Sequence, residues 1–360
     1  MMESETLMPK QTKLFHIGDL HQDADALEQA ANLIRTGGLV AMPTETVYGL
    51  GANALDPQAV RNIFLAKGRP QDNPLIIHLE SAEQAQRYAQ NIPEVYYELC
   101  RRFSPGPLTV ILPKQEIIPL ETSGGLETVA IRIPAHPVAR EIIRRAGVPV
   151  AAPSANLSGS PSPTTAEHCV HDLWGRVDAI VDAGECSVGL ESTVISLAGE
   201  KPVLLRPGAI TPQMLRQVLP ELVIHEAVTE KLAAGMRADS PGMKYKHYAP
   251  KAKITILDAD SSTFVSYVNR HARQGLFALC FEEDVPGLKV PYLSLGNDAA
   301  DQARTLFAAL RELDERGAQE VYARCPDKDG VGLAVYNRLI RAAAYHEVDL
   351  QQEKDRNRTE

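Results

Sequence analysis

Gly37-Gly38-Leu39-Val40-Ala41-Met42-Pro43 joins the end of one structural element to the whole of the next. Upstream of it, Leu27, Ala30, Ala31 and Ile34 recur at helical spacing between Asp23 and Thr36, and the paired glycines stop that helix. Downstream, Leu39 to Met42 is a short apolar run ended by a proline, the signature of a buried strand. The same alternation continues outward. Pro57 opens a helix carrying Val60, Ile63, Phe64 and Ala66, and Leu75 to Leu79 reads as a strand. Helices are expected over 81–90 and 93–103, strands over 108–112 and 128–133, a helix over 137–146 and a strand over 148–152. Beyond a Ser/Pro/Thr-rich loop at 154–165 come a helix near 165–174 and strands near 178–182, 192–197 and 203–206. Thr211 is placed to cap a helix running to Leu219. Helices and strands interleave in no fixed order, which predicts an α/β domain with a twisted mixed sheet.

Between Pro220 and Pro250 the periodicity fades. A second regular pattern then begins: strand 253–257, helix 262–273, strands 276–280 and 289–293, helix 298–316, strand 319–323 and helix 331–345. This alternation predicts a smaller, doubly wound, Rossmann-like α/β domain. The expected organisation is therefore a tail at 1–19, a first domain at 20–210, and a linker at 211–250. The second domain then covers 251–350, and a charged tail 351–360.

Composition narrows the function. The 360 residues are 44% hydrophobic and 23% charged, as in a folded globular protein. No apolar run approaches the ~18 residues that span a bilayer, and Met1 to Lys13 lacks an apolar stretch of signal-peptide type. No membrane association is expected, and the expected location is the cytoplasm. A net charge of −9 provides no global field for a polyanion, so direct tRNA binding is not expected to be strong. The five cysteines are scattered, with no CxxC pair, and read as reduced core thiols. Gly49-Leu50-Gly51-Ala52-Asn53-Ala54 fits G-x-G-x-x-A, but no acidic residue stands where a ribose ligand belongs, and the segment reads as a glycine-lined turn.

Cations in tight, apolar surroundings are more informative. Lys67-Gly68-Arg69-Pro70 follows a helix C-terminus, where Lys67 answers the helix dipole but Arg69 lies past the glycine. Arg132 interrupts the strand Val129-Ala130-Ile131-Arg132-Ile133-Pro134, and Arg206 ends Val203-Leu204-Leu205-Arg206. Arginine is rarely buried unless paired, so each either lies on an outward strand face or meets an anion, and two at the ends of apolar strands can converge on one crevice of an open sheet. Hydroxyl-rich turns accompany them: Pro43-Thr44-Glu45-Thr46, Pro153-Ser154-Ala155-Asn156 and Glu191-Ser192-Thr193. The residues alone reach an anion- or nucleotide-binding enzyme.

At these residues the chain resembles the threonylcarbamoyl-AMP synthase family (the YrdC/YwlC type, long form). The resemblance rests on Pro43 to Leu50, Lys67-Gly68-Arg69-Pro70, Asn73-Pro74-Leu75 with His78, and Ser104-Pro105-Gly106-Pro107-Leu108-Thr109. It continues through Arg132-Ile133-Pro134, Ala152 to Asn156, Glu191 to Val194 and Arg206-Pro207-Gly208. Ser240 to Pro250 and the second domain resemble the long form. The resemblance implies formation of L-threonylcarbamoyladenylate from L-threonine, bicarbonate and ATP, with diphosphate leaving. A tRNA threonylcarbamoyl transferase complex would use the product to modify adenosine beside the anticodon. It implies a threonine pocket of Thr46, His78, Arg132, Ala152 and Ser192, with Arg132 on the carboxylate. The implied ATP site is Lys67, Arg69, Asn73, Thr128, Ser154, Ser162, Arg206 and Tyr245, with Lys67 and Arg69 as the catalytic charges. Mg²⁺ is expected on the ATP phosphates, without dedicated protein ligands. The segment 240–250, rich in tyrosine and bounded by prolines, is expected to act as a lid over this site. Two other readings are weaker. A double-stranded RNA or tRNA-binding module conflicts with the acidic charge, and a carbamoyltransferase-type hydrogenase maturation factor would need zinc-finger cysteines that are missing here.

Overall fold

Short apolar strands dominate the first half of the chain, and the order in which they pair decides which polar residues meet. The computed structural model describes residues 9–230 and 248–350. These divide into two units: residues up to Ser158 with Ser162 onward to Glu230, and residues from Tyr248 to Leu350 together with Gly159–Pro161. Tyr245 and most of the expected lid lie outside the described residues.

The strands of the first unit are β1 (Lys13–His16), β2 (Val40–Met42), β3 (Gly49–Asn53), β4 (Ile76–His78), β5 (Leu108–Pro113), β6 (Thr128–Arg132), β7 (Val150–Ala151), β8 (Ala179–Asp182), β9 (Thr193–Ser196), β10 (Val203–Arg206) and β11 (Val223–Ile224). They form one mixed sheet in the order β1-β8-β2-β3-β7-β4-β6-β5-β9-β10-β11. Its helices are α1 (Ala24–Arg35), α2 (Pro57–Lys67), α3 (Glu94–Phe103), α4 (Leu120–Ser123), α5 (Pro137–Ala146), α6 (Ala166–Leu173) and α7 (Pro212–Arg216). The expected α/β class with a mixed sheet is what the chain adopts.

Local chemistry sets the helix ends. Asp56 caps α2 by accepting from the backbone N–H groups of Gln58 and Ala59, Pro57 occupies the first turn, and Gly68 closes it in the left-handed region at φ 62°. The stop at Gly68 fixes Lys67 as the last helical residue, with its side chain buried.

Alternation along the strands divides the apolar residues between two faces. On one face Leu50, Ile77, Val110, Ile131, Ile195 and Leu204 pack with the apolar sides of α2, α3 and α6. On the other, Val40, Met42 and Val150 pack under α1 and α5 through Leu27, Ile34 and Ile142. That second face continues from β7 into β4 through the pairing of Val150 with His78. Beyond it, only a small cluster that includes Ile76, Ile111, Ala130, Val194 and Leu205 carries on the apolar surface. The polar row of the site lies on this part of the face.

Several expectations are corrected. Gly49 to Asn53 is a strand, antiparallel to β2 and β7, rather than a glycine-lined turn. The glycines admit close neighbours: a Cβ on Gly49 would lie 3.2 Å from Ala152 Cβ, and one on Gly51 would lie 3.0 Å from Val150 Cγ1 and 3.3 Å from the Val40 carbonyl oxygen. Lys13 to His16, read as tail, is an edge strand parallel to β8. Residues 211–230, read as the start of a linker, fold with the first unit: Thr211 caps α7, and β11 runs parallel to β10. The stretch 81–90 yields only a 3₁₀ turn over Glu83–Arg87.

The second unit comprises β12 (Lys253–Asp258), α8 (Ser261–Arg270), β13 (Leu276–Cys280), β14 (Tyr292–Ser294), α9 (Ala299–Glu315), β15 (Glu320–Arg324), α10 (Gly332–Ala342) and β16 (Glu347–Asp349). All its strand pairs are parallel, in the order β14-β13-β15-β12-β16, as expected of a doubly wound sheet. Tyr248, within the expected lid, is buried with its ring 5.0 Å from that of Phe307 in the same unit.

Gly51→Ala should destabilise the first unit by about 1–3 kcal/mol, because the Val40 carbonyl cannot move without breaking the sheet. Denaturant unfolding checks this, and a variant as stable as the parent would show that the β2–β3–β7 contact is looser than described.

Candidate active site

Sheet register brings the site together from residues far apart in sequence. His78 is the neighbour of Arg132 across β4 and β6, and Arg132 is the neighbour of Thr109 across β6 and β5. Thr109 pairs with Val194 of β9, and Val194 with Arg206 of β10. Residues in register share a face, so the row places His78, Arg132 and Thr109 side by side.

Arg132 is 4% exposed and Glu45 7%. Its Nη2 donates to Glu45 Oε1 at 2.7 Å and its Nε to the Gly106 carbonyl at 3.4 Å, while Glu45 Oε2 accepts from the Ala135 N–H at 3.0 Å. Burial pushes the Glu45 carboxyl up, but the charge and hydrogen bond of Arg132 outweigh it and hold the group below the usual carboxylate range. The pair is therefore ionised. Arg132 Nη1 makes no hydrogen bond to a described residue, so the end of its fork is available to a ligand.

His78 is buried beside this cation. Desolvation, with Arg132 adding to it, lowers its pKa to about 3, so the imidazole is neutral, and its Nδ1 has no hydrogen-bond partner among the described residues. Thr46 Oγ1 lies 2.8 Å from Thr44 Oγ1, which also donates to the Val47 carbonyl at 2.6 Å. Ser192 Oγ shares a 2.7 Å hydrogen bond with Thr109 Oγ1. Arg206 holds Ser192 from the other side: Nε donates to its carbonyl at 2.9 Å and Nη2 to its Oγ at 3.0 Å. The adjoining Gly208 is required, since a Cβ there would lie 2.5 Å from the Thr193 nitrogen. Ala152 donates its N–H to the Ile76 carbonyl at 3.0 Å, which ties the loop after β7 to β4.

The expected ATP-site residues divide. Lys67 Nζ donates to the carbonyls of Ser154 at 2.5 Å and Asn156 at 2.6 Å and to Asn156 Oδ1 at 3.3 Å, so it organises this loop. Ser154 Oγ donates to Asn156 Oδ1 at 2.6 Å, and Ser162 Oγ to Glu191 Oε1 at 2.5 Å. Arg69 lies just past Gly68 with its guanidinium carbon 6.0 Å from the Phe64 ring centre. Asn73 is 1% exposed, and neither Oδ1 nor Nδ2 has a hydrogen-bond partner among the described residues. Thr128 begins β6, four residues from Arg132 and hence roughly 13 Å away along the strand. It shares that end of the sheet with Asn73, which precedes β4, the parallel neighbour of β6. Residue reasoning alone did not single out Glu45, Thr109 or Glu191. The available signal was a carboxylate inside the otherwise uncharged run Pro43 to Leu50.

Buried cations, a neutral imidazole and converging hydroxyls on one face of a mixed sheet suit an anionic substrate. Residues 32–208 match the Sua5/YciO/YrdC family model, described as "Telomere recombination", and residues 210–344 match the threonylcarbamoyl-AMP synthase C-terminal domain. The threonylcarbamoyl-AMP synthase of Pyrococcus abyssi is 47% identical over 88% of this chain and 93% of its own. That of Bacillus subtilis is 44% identical over 90% and 95%. The fold matches P. abyssi Sua5 complexed with L-threonine at a TM-score of 0.86 and 42% identity, covering 94% of this chain and 99% of that one. A P. abyssi Sua5 variant with a histidine and a tyrosine changed to alanine matches at 0.88, also at 42% identity, covering 94% and 98%. The chain belongs to the threonylcarbamoyl-AMP synthase family and forms L-threonylcarbamoyladenylate.

Because folded His78 refuses a proton until about pH 3, whereas the unfolded chain takes it up near 6.5, stability should fall as pH drops through that window. The contribution is at most about 1.4 kcal/mol per pH unit. Denaturant unfolding of His78→Gln between pH 4 and 7 should show a shallower loss than the parent. Parallel profiles would mean that His78 titrates normally.

Proposed function

We propose that this chain makes the adenylate from L-threonine, bicarbonate and ATP, with release of diphosphate and water, and that Arg132 receives the threonine carboxylate. The observation that carries this reading is the buried Arg132, held at Nη2 by Glu45 and at Nε by Gly106, with Nη1 making no hydrogen bond to a described residue. Glu45 acts as a positioning residue: it fixes the plane of the fork that meets the carboxylate. Thr46, Ser192 and the backbone at Ala152 complete the pocket. Neutral His78 adds hydrogen-bonding capacity without a second cation to compete for the carboxylate.

The chemistry asks little covalent help of the protein. The neutral amine of threonine captures carbon dioxide or bicarbonate as a carbamate. A carbamate oxygen then attacks the α-phosphorus, and diphosphate leaves. Positioning and charge neutralisation supply the rate. Arg69 and Arg206 supply positive charge toward the phosphates. Lys67 contributes its charge while holding the Ser154–Asn156 loop, whose hydroxyl and backbone line the nucleotide side. Asn73, buried with a carboxamide that no described residue satisfies and at the same end of the sheet as Thr128, suits the adenine. Tyr245 is retained for the ATP side by resemblance alone.

Among the described residues, the only trio of His, Cys, Asp or Glu side chains close enough to share an ion lies in the second unit. In the first unit Glu45 and Glu191 are engaged with Arg132 and Ser162. By resemblance, Mg²⁺ would arrive as MgATP on the nucleotide's own phosphates, where it would supply positive charge for the leaving diphosphate. We place the reaction in the cytoplasm, with the product passing to a tRNA threonylcarbamoyl transferase complex. No described helix is long and apolar enough to cross a membrane.

Diphosphate release should require threonine, bicarbonate and ATP together, and release that ignores any one of them would contradict this reading. Arg132→Ala should cost about 2–5 kcal/mol in the threonine-dependent step, a factor of tens to thousands. Arg132→Lys should also be poor, since a point charge cannot be held by Glu45 and still present a planar fork. Steady-state kinetics with threonine as the varied substrate checks both, and an unchanged Lys variant would remove Arg132 from the pocket.

A further inference from the structure

The second unit contains a cleft lined by none of the residues assigned above to the synthesis reaction. The chain leaves β12 for β13 toward one side of the sheet and leaves β15 for β16 toward the other, so β12 and β15, which are adjacent, form a topological switch point. Ligands of open α/β sheets bind outside the carboxyl ends of strands at such points. Asp258 ends β12 and Arg324 ends β15, and a cavity of about 600 Å³ opens beside both, with Phe281, Asn297 and Gln302 also in its wall. That volume suits one drug-sized or nucleoside-sized molecule.

The charges select the ligand. Arg324 is largely engaged within the protein: Nη1 donates to the Ala259 carbonyl and Nη2 to Glu283 Oε1 at 3.3 Å, while Nε, without a hydrogen bond to a described residue, lies 3.6 Å from Asp284 Oδ2. Lys328 Nζ bridges Asp258 Oδ2 at 3.0 Å and Glu347 Oε1 at 2.7 Å. This lysine also sits on two of the three groups, Asp258, Cys325 and Glu347, whose spacing would otherwise suit a metal ion. In the wall three carboxylates, Asp258, Glu283 and Asp327, outnumber the two paired cations Arg324 and Lys328, which disfavours a phosphate. No glycine-rich turn follows β12 to receive one; the segment there is Asp258-Ala259-Asp260-Ser261.

The unspent groups are carboxamides and carboxylate oxygens. Gln302 is 7% exposed, yet its side-chain amide makes no hydrogen bond to a described residue, and the same holds for the exposed Asn297. A carboxamide matches the paired donor and acceptor of an adenine edge. Carboxylates at strand ends match the vicinal hydroxyls of ribose. We propose that this cleft binds an uncharged adenine nucleoside, separately from the nucleotide used in the first unit.

The test is calorimetry on the full chain with adenosine as the probe, in the presence of saturating threonine and a non-hydrolysable ATP analogue to fill the first unit. One adenosine per chain should still bind. AMP should bind at least tenfold more weakly, and Gln302→Ala and Asn297→Ala should each weaken adenosine at least tenfold while diphosphate release from the full substrates stays unchanged. If Gln302→Ala melts well below the parent, the exposed Asn297→Ala decides. The proposal is overturned if millimolar adenosine gives no heat once the first unit is filled. It is equally overturned if AMP or the polyamine spermidine binds in preference, or if the deciding variants leave adenosine affinity intact.

Discussion

A carboxylate and a guanidinium meet at 2.7 Å where almost no water reaches either, and the first unit is arranged around that contact. Withdrawing each ion from water costs several kcal/mol, and their attraction offsets this only with good geometry and every remaining polar atom satisfied. The chain meets most of the condition with backbone and leaves Arg132 Nη1 without a hydrogen bond to a described residue. The Ala135 N–H satisfies the second oxygen of Glu45, and the Gly106 carbonyl accepts from Arg132 Nε. Three segments, the turn after β2, the loop before β5 and the exit from β6, are thereby fixed to one point. Removing either charge would strand the other, at a cost of about 3–5 kcal/mol. A pair that costs this much to bury is weak support for stability by itself. It is better explained by what it leaves exposed, a guanidinium edge held in a fixed plane beside an uncharged imidazole.

Much of this was legible from residues. Arg132 and Arg206 stood out because each falls in an apolar strand, and both belong to one row across the sheet. What the sequence withheld was the pairing order. β4, β6, β5, β9 and β10 are neighbours in space in an order that the chain does not follow, so the meeting of His78, Arg132 and Ser192 is a tertiary fact. Glu45 was overlooked for the same reason: its partner lies 87 residues away. Gly49 to Asn53 was misread because glycine weakens a strand in isolation, whereas here the missing side chains let neighbouring strands and the loop after β7 approach. The resemblance places Lys67 at the phosphates, and what the sequence withheld is that Lys67 also binds the carbonyls of a loop nearly ninety residues on.

The second unit was easier to read, because parallel strands joined by helices show their alternation directly in the hydrophobic pattern. Its edge strand β16 was missed, being only three residues long and half-exposed. Its cleft was not legible at all. Asp258, Asn297, Gln302 and Arg324 come from the ends of two strands and the start of one helix, and their convergence depends on β12 lying next to β15.

The most direct measurement is a double-mutant cycle on Glu45 and Arg132, read by the threonine dissociation constant of the folded proteins. If Glu45 serves threonine through Arg132, Glu45→Gln should weaken threonine by at least tenfold, and Arg132→Ala should weaken it further. The double variant should then bind no worse than Arg132→Ala alone. Losses that simply add, or a Glu45→Gln variant with parental threonine affinity, would contradict the account.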